Sequence, residues 1–125
     1  MSPRAAGATQ HELSRIGLLA TLPGETLARL ASNMTREEIP AGTDILVEGE
    51  EGDRFYVVLS GMLTVSQKSR GAQSVLRPGD YFGEVALAMN VPRTASVRAL
   101  TPVTVASCDR ETFDEYIRPL FADNS

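Results

Sequence analysis

The chain has 125 residues, which is enough for one domain with a single hydrophobic core and too few for two. Its apolar content of 42% and charged content of 22% are those of a folded protein and exclude wholesale disorder. The net charge of −4 argues against a general nucleic-acid surface, because phosphate backbones are bound through clustered lysines and arginines. No apolar run of about 18 residues occurs, so no membrane insertion is expected. A cytoplasmic location is predicted, either free or as the cytoplasmic part of a membrane protein.

The N-terminal third of the chain has helical spacing. Residues 1–9 are small and polar with little to bury, and we predict a flexible segment there. Apolar residues then recur with near-helical spacing at Leu13, Ile16, Leu18 and Leu19, and again at Leu27 and Leu30. Two short helices are therefore predicted within residues 10–34, the second capped by Thr21 or Gly24. His11, the one histidine, is expected to be an exposed surface residue.

After Thr35 the period becomes alternating, and turn-forming glycines and prolines become dense. Eight strands are predicted, at residues 36–39, 45–47, 54–60, 62–66, 72–76, 81–82, 95–99 and 103–108. Short antiparallel strands with tight turns favour a roll or barrel over a βαβ sheet, which would need intervening helices. Within residues 54–66, three side chains are predicted to share one face and to pair with Leu63 and Val65; they are Phe55, Val57 and Leu59.

The chain ends in a predicted helical segment over residues 110–125. Asp109 is predicted to cap it, and Phe113 and Ile117 form its apolar face. Pro119 is expected to interrupt or restart the helix. Cys108, the one cysteine, cannot form an internal disulfide and follows apolar residues, which indicates a buried structural thiol.

Residues 82–97, FGEVALAMNVPRTASV, place an acid, a base and a hydroxyl around a predicted helical turn. Gly83 gives the backbone room to approach a ligand, and Glu84 is an acceptor-only carboxylate. Arg93 offers a planar fork for phosphate oxygens, which the Thr94 hydroxyl reinforces. The pattern predicts a ligand that carries both phosphate and hydroxyl groups.

The segment FGEVAL followed by PRTA resembles the phosphate-binding cassette of cyclic nucleotide-binding domains, and GDRFYVVLSGMLTV resembles the middle of the same family. The resemblance covers residues 19–116. It implies a mainly β domain over residues 10–125: an antiparallel, jelly-roll-like β-roll (a double-stranded β-helix) over residues 35–109, with N-terminal helices and a short C-terminal helix. The implied ligand is cAMP or cGMP, with no cofactor.

The resemblance also implies individual roles. Glu84 would take the ribose 2′-hydroxyl and Arg93 the cyclic phosphate, while the backbone at Gly83, Val85 and Ala86 would line the phosphate. Two residues on strands expected to face the cassette, Val65 and Leu76, are candidate apolar contacts for the base, and ordinary core packing explains them equally well. Thr94 leaves cGMP open without deciding it. The first prediction is cAMP, because it is the commoner ligand for the family, with cGMP close behind.

The end of the chain departs from the family pattern. Family members usually carry a longer final helix that covers the base as a lid, and here Leu120 and Phe121 are the only apolar candidates for that role. Either the lid is truncated in this sequence or a partner supplies it.

The sequence holds few groups suited to catalysis. A single histidine cannot build a multi-histidine metal site, and no paired Cys–His arrangement, GxSxG elbow or Walker loop occurs. We therefore predict a sensor without enzymatic activity that controls an attached or partner effector such as a transporter, channel or enzyme. Assembly of the domain into a homodimer is a further prediction that the sequence leaves open. Two alternatives remain: a protein-interaction domain of the same fold with an unoccupied pocket, and the sensor half of a transcription regulator. No stretch after Asp109 is long or basic enough for a helix-turn-helix, so no direct nucleic-acid contact is expected.

Overall fold

Two four-stranded antiparallel sheets with helices at both ends make up the protein; the structure is a computed structural model that describes residues 7–122. The strands are β1 (Thr35–Ile39), β2 (Asp44–Leu46), β3 (Arg54–Ser60), β4 (Leu63–Gln67), β5 (Gly71–Leu76), β6 (Tyr81–Phe82), β7 (Ser96–Ala99) and β8 (Val103–Asp109). One sheet has the order β1-β8-β3-β6 and the other β2-β7-β4-β5. The predicted fold class is confirmed, and each observed strand boundary lies within one residue of its prediction.

The start of the described chain is fixed by packing and by a helix cap. Ala8 is 1% exposed, which differs from the expectation that residues 1–9 have little to bury; residues 1–6 lie outside the described part. The Thr9 hydroxyl accepts a hydrogen bond from the Glu12 amide, and the Glu12 carboxylate accepts one from the Thr9 amide, at 3.0 Å each. This reciprocal capping box begins helix α1 (Gln10–Ser14).

A 3₁₀ turn at Gly17–Leu19 leads to helix α2 (Gly24–Ser32). The prediction that Thr21 or Gly24 caps this helix was wrong. Pro23 occupies the cap position and makes no side-chain cap bond, and its carbonyl accepts the first helical bond from the Leu27 amide at 3.0 Å. The helix is held instead by its buried apolar face, because Leu27 and Leu30 are 3% and 0% exposed.

Strand β3 separates two hydrophobic cores. Phe55 and Val57 pack into a core beneath the helices, whereas Tyr56 and Val58 pack into a core between the two sheets. Leu59 also packs against the first core, so the predicted shared face with Phe55 and Val57 is confirmed.

The predicted pairing of that face with Leu63 and Val65 was wrong. Strand β4 lies in the other sheet, where Leu63 is registered with Leu76 on β5 and with Ala99 on β7. The chain changes sheet at Gly61, whose φ of +85° and contact with Pro102 and Val103 leave no room for a side chain.

Helix α3 (Glu84–Met89) follows β6. Three short helical pieces follow β8: α4 (Arg110–Thr112), a π-helical turn (Phe113–Ile117) and α5 (Arg118–Ala122). As predicted, the Asp109 carboxylate caps the segment and accepts a bond from the Thr112 amide at 2.9 Å. Phe113 and Ile117 are both fully buried, as expected. The π-helical turn ends at Ile117, two residues before Pro119, whose missing amide is tolerated in the first turn of the restarted helix.

Candidate functional site

The cassette begins where β6 ends. Gly83 has a φ of +91° and precedes helix α3 (Glu84–Met89). A Cβ atom at Gly83 would lie 2.8 Å from the Arg54 carbonyl oxygen and 3.2 Å from Nη1 of Arg93, so both the backbone angle and the close approach require glycine. Ala86 and Leu87, at 2% and 0% exposure, fix α3 to the body of the domain.

A cavity of about 220 Å³ lies between α3 and the second sheet. All eight residues singled out from the sequence line it; they are Val65, Leu76, Gly83, Glu84, Val85, Ala86, Arg93 and Thr94. Five further residues that were not singled out also line it; they are Leu46, Tyr81, Phe82, Ala95 and Val97. Four of these five belong to the cassette or directly precede it, so their position in the sequence could have predicted that they line the cavity. Leu46 reaches the cavity only because β2 pairs with β7.

Arg93 is a buried cation in the wall of this cavity. It is 6% exposed, and its Nη1 and Nη2 donate to the carbonyl oxygens of Gly83 and Arg54 at 3.0 Å each. Burial lowers the pKa of the guanidinium, and the nearby Tyr56 and Asp53 oppose that shift. Within residues 7–122 no carboxylate lies within ion-pairing distance of it, so Arg93 is not a structural salt-bridge partner of Glu84. Buried charges are usually paired, and this one retains N–H groups for an anion.

Glu84 supplies the acidic group of the cavity. It is the first residue of α3 and is partly buried, and burial raises the pKa of its carboxyl group. Its own backbone amide and Arg93 act in the opposite direction. Ionisation of Glu84 therefore costs free energy in this position. A hydroxyl group in the cavity that donates to the carboxylate would lower that cost.

Side-chain hydrogen bonds tie the exit of the cassette to two neighbouring turns. Gln67 Nε2 donates to the Thr94 carbonyl oxygen at 2.8 Å, and the Ser96 hydroxyl accepts from the Glu48 amide at 2.9 Å. The Glu48 carboxylate in turn accepts from the Lys68 amide at 2.8 Å. These bonds fix the backbone around Thr94, whose side chain is itself exposed.

The other end of α3 is held by the C-terminal helices. Arg118 donates from Nη2 to the Leu87 carbonyl at 2.8 Å and from Nη1 to the Ala88 carbonyl at 3.1 Å. Arg110 also donates to the Leu87 carbonyl, at 3.3 Å. Asp114 accepts from Nε of Arg118 at 2.8 Å and so orients the guanidinium. The last carbonyl oxygens of a helix have no hydrogen-bond donor within the helix, and here the guanidinium groups of Arg110 and Arg118 donate to them.

The two lid candidates do not line the cavity. Leu120 and Phe121 pack against the core beneath the helices, and the Phe121 ring lies 6.0 Å from that of Tyr81 and 6.3 Å from that of Phe113. Neither candidate covers the cavity in this arrangement, because the apolar side chains of the C-terminal helix pack against the core.

Among residues 7–122, no group of three or more potential metal ligands comes together. No helix in this described range is long and apolar enough to cross a membrane. Cys108 is fully buried, and burial raises the pKa of its thiol to about 12, as expected for a structural cysteine.

Comparison with known proteins identifies the family. The family model described as "Cyclic nucleotide-binding domain" matches residues 36–119. The cAMP-dependent protein kinase regulatory subunit of Yarrowia lipolytica is 38% identical over 109 residues, which cover 86% of this chain and 29% of that protein. A cGMP-dependent protein kinase of Caenorhabditis briggsae is 36% identical over 114 residues, covering 86% of this chain and 15% of that protein.

A solved structure supports the same relationship. The regulatory domain of Toxoplasma gondii PKA, crystallised with cAMP, superposes with a TM-score of 0.86 at 26% identity, covering 91% of this chain and 47% of that one. The chain thus spans less than a third of the two curated relatives. With the fold, the cassette and the family model in agreement, this chain belongs to the cyclic nucleotide-binding domain family.

Proposed function

We propose that the domain is a cyclic nucleotide sensor in which Arg93 binds the cyclic phosphate and Glu84 binds the ribose 2′-hydroxyl. The observation that carries the proposal is the buried Arg93 guanidinium, which lines the cavity and has no carboxylate partner within residues 7–122. A phosphodiester would neutralise this cation and accept from the N–H groups that the two carbonyls leave free.

Other groups that line the cavity suit the phosphate oxygens, the sugar and the base of a nucleotide. The first-turn amides of α3, at Val85 and Ala86, are donors for phosphate oxygens. Glu84 is acceptor-only when ionised, so it would repel the phosphate and accept from a sugar hydroxyl. Val65 and Leu76 offer apolar surface to the base from β4 and β5.

The proposed output is regulation without turnover by this domain. The relatives named above are a regulatory subunit of a cAMP-dependent protein kinase and a cGMP-dependent protein kinase, which adds a protein kinase to the candidate effectors. A ligand can shift an equilibrium only through its differential affinity for two arrangements. The contacts of Arg118 and Arg110 with the end of α3 offer one path from the cassette to the C-terminal helices.

Titration calorimetry tests the proposal and the choice of ligand. The domain would be titrated with cAMP, cGMP and the corresponding 5′-monophosphates, with cAMP expected to bind most tightly and cGMP next. Tightest binding by a non-cyclic nucleotide would refute the proposed phosphate site. Binding of neither cyclic nucleotide would favour the alternative of a protein-interaction domain.

A further inference from the structure

The loop before β3 surrounds Arg93 from its backbone to its guanidinium. The Arg93 amide donates to the Glu50 carbonyl at 2.8 Å, and the Arg93 carbonyl accepts from the Gly49 amide at 2.8 Å. At the far end of the side chain, Nη2 donates to the Arg54 carbonyl at 3.0 Å. Residues 49–54 therefore hold this arginine at both ends.

Gly52 lies in the middle of that loop, directly against the guanidinium. A Cβ atom built on Gly52 would overlap Nε and Cζ of Arg93 and lie 2.5 Å from Nη2. The φ angle of Gly52 is not in the left-handed region, so glycine is needed at this position for space and not for backbone conformation.

The guanidinium has little freedom to move away from an added methyl group. Its two Nη atoms are bound to the carbonyls of Gly83 and Arg54, and the residue is 6% exposed. A side chain at position 52 would break one or both of these bonds and change where the remaining N–H groups point.

We infer that Gly52 is a positioning residue for Arg93: its missing side chain leaves the space in which the guanidinium lies and so sets the phosphate contact in the cavity. The effect of Gly52 on ligand binding rests on the proposed function. The packing of Gly52 against Arg93 does not rest on it, so the packing contact and its effect on binding can be tested separately.

A double-mutant cycle separates them. The variants are Gly52→Ala, Arg93→Ala and the double variant, with Gly17→Ala as the matched control because a Cβ there meets nothing within 4 Å. Gly52→Ala should lower the Tm by about 4 °C or more in the wild-type background and by less than half as much in the Arg93→Ala background. It should also weaken cAMP binding by about tenfold or more, with less than a twofold further loss when Arg93 is already alanine. Gly17→Ala should leave cAMP affinity within about twofold.

Each outcome decides the inference. Equal Tm losses in both backgrounds would overturn it, even if cyclic nucleotides bind tightly. If Gly52→Ala does not fold, a folded double variant supports the inference, and a double variant that also fails to fold contradicts it. If the wild-type domain binds no cyclic nucleotide, the proposed function fails while the Tm cycle still tests the contact between Gly52 and Arg93.

Discussion

Replacing Arg93 by lysine should disrupt the candidate phosphate site while keeping its positive charge. The guanidinium donates from two nitrogens to the carbonyls of Gly83 and Arg54 and keeps further N–H groups for a ligand. A lysine ammonium is a compact charge with three donors, so it cannot serve both carbonyls and a phosphate from one position. Loss of one charge-assisted bond, about 1.5 to 3 kcal/mol, corresponds to roughly 10- to 150-fold weaker binding of a cyclic nucleotide.

The measurement is calorimetric titration of wild type and Arg93→Lys with cAMP and cGMP. Arg98→Lys is the matched control, because Arg98 lies on β7 with its side chain 57% exposed and pairs with Asp44 at 3.1 Å. The control should bind within about twofold of wild type. A denaturant titration checks folding, since a carbonyl left without its donor costs about 1 to 3 kcal/mol of unfolding free energy. A folded Arg93→Lys protein with wild-type affinity would show that the guanidinium does not hold the phosphate.

Three further predictions concern Glu84, Arg118 and Cys108. Because burial raises the pKa of Glu84, the folded state holds its proton more tightly than the unfolded state, and ionisation destabilises the fold as pH rises from the ordinary value of 4.5. In denaturant titrations, the free energy of unfolding of Glu84→Gln should fall less above that pH than that of the wild type. An equal fall in the two proteins would contradict this reasoning. The same variant should show a smaller preference for ribose over 2′-deoxyribose ligands. Arg118→Ala removes a donor from the Leu87 carbonyl and should speed amide hydrogen exchange in α3 and α5 by roughly tenfold, whereas unchanged exchange would show that the contact carries no stability. The Cys108 thiol, with its pKa raised to about 12 by burial, should react with Ellman's reagent only as the protein unfolds, and rapid reaction of the native protein would be inconsistent with this burial.

The strand boundaries were predictable because local chemistry sets them. Glycines at Gly42, Gly49, Gly61, Gly71 and Gly79 adopt positive φ at strand ends, and the sequence shows these positions directly. Which strands pair is a different question, because both faces of β3 are buried and alternation therefore carries no information about its neighbours.

The residues that line the cavity were largely predictable for a related reason. Most of the polar groups of the cavity lie in one contiguous segment, residues 82–97. Recognising that segment was therefore enough to predict that Glu84 and Arg93 lie close together, and both line the cavity. Gly52 and Leu46 could not be assigned, because the space beside a guanidinium and the register of β2 on β7 exist only in the folded chain. The sequence marks Leu120 and Phe121 as apolar lid candidates, but it does not show that both side chains pack against the core beneath the helices.

The position of β8 in its sheet constrains how the polypeptide can reach this state. Thr35 is registered with Ser107, and Arg54 with Asp109, so β8 lies between two strands synthesised long before it. Neither β1 nor the corresponding edge of β3 has its partner until nearly the whole domain has left the ribosome, and closing such distant pairs is entropically slow. Refolding should accordingly be slow for a chain of this size, and a nascent domain halted before Val103 would expose two unpaired strand edges.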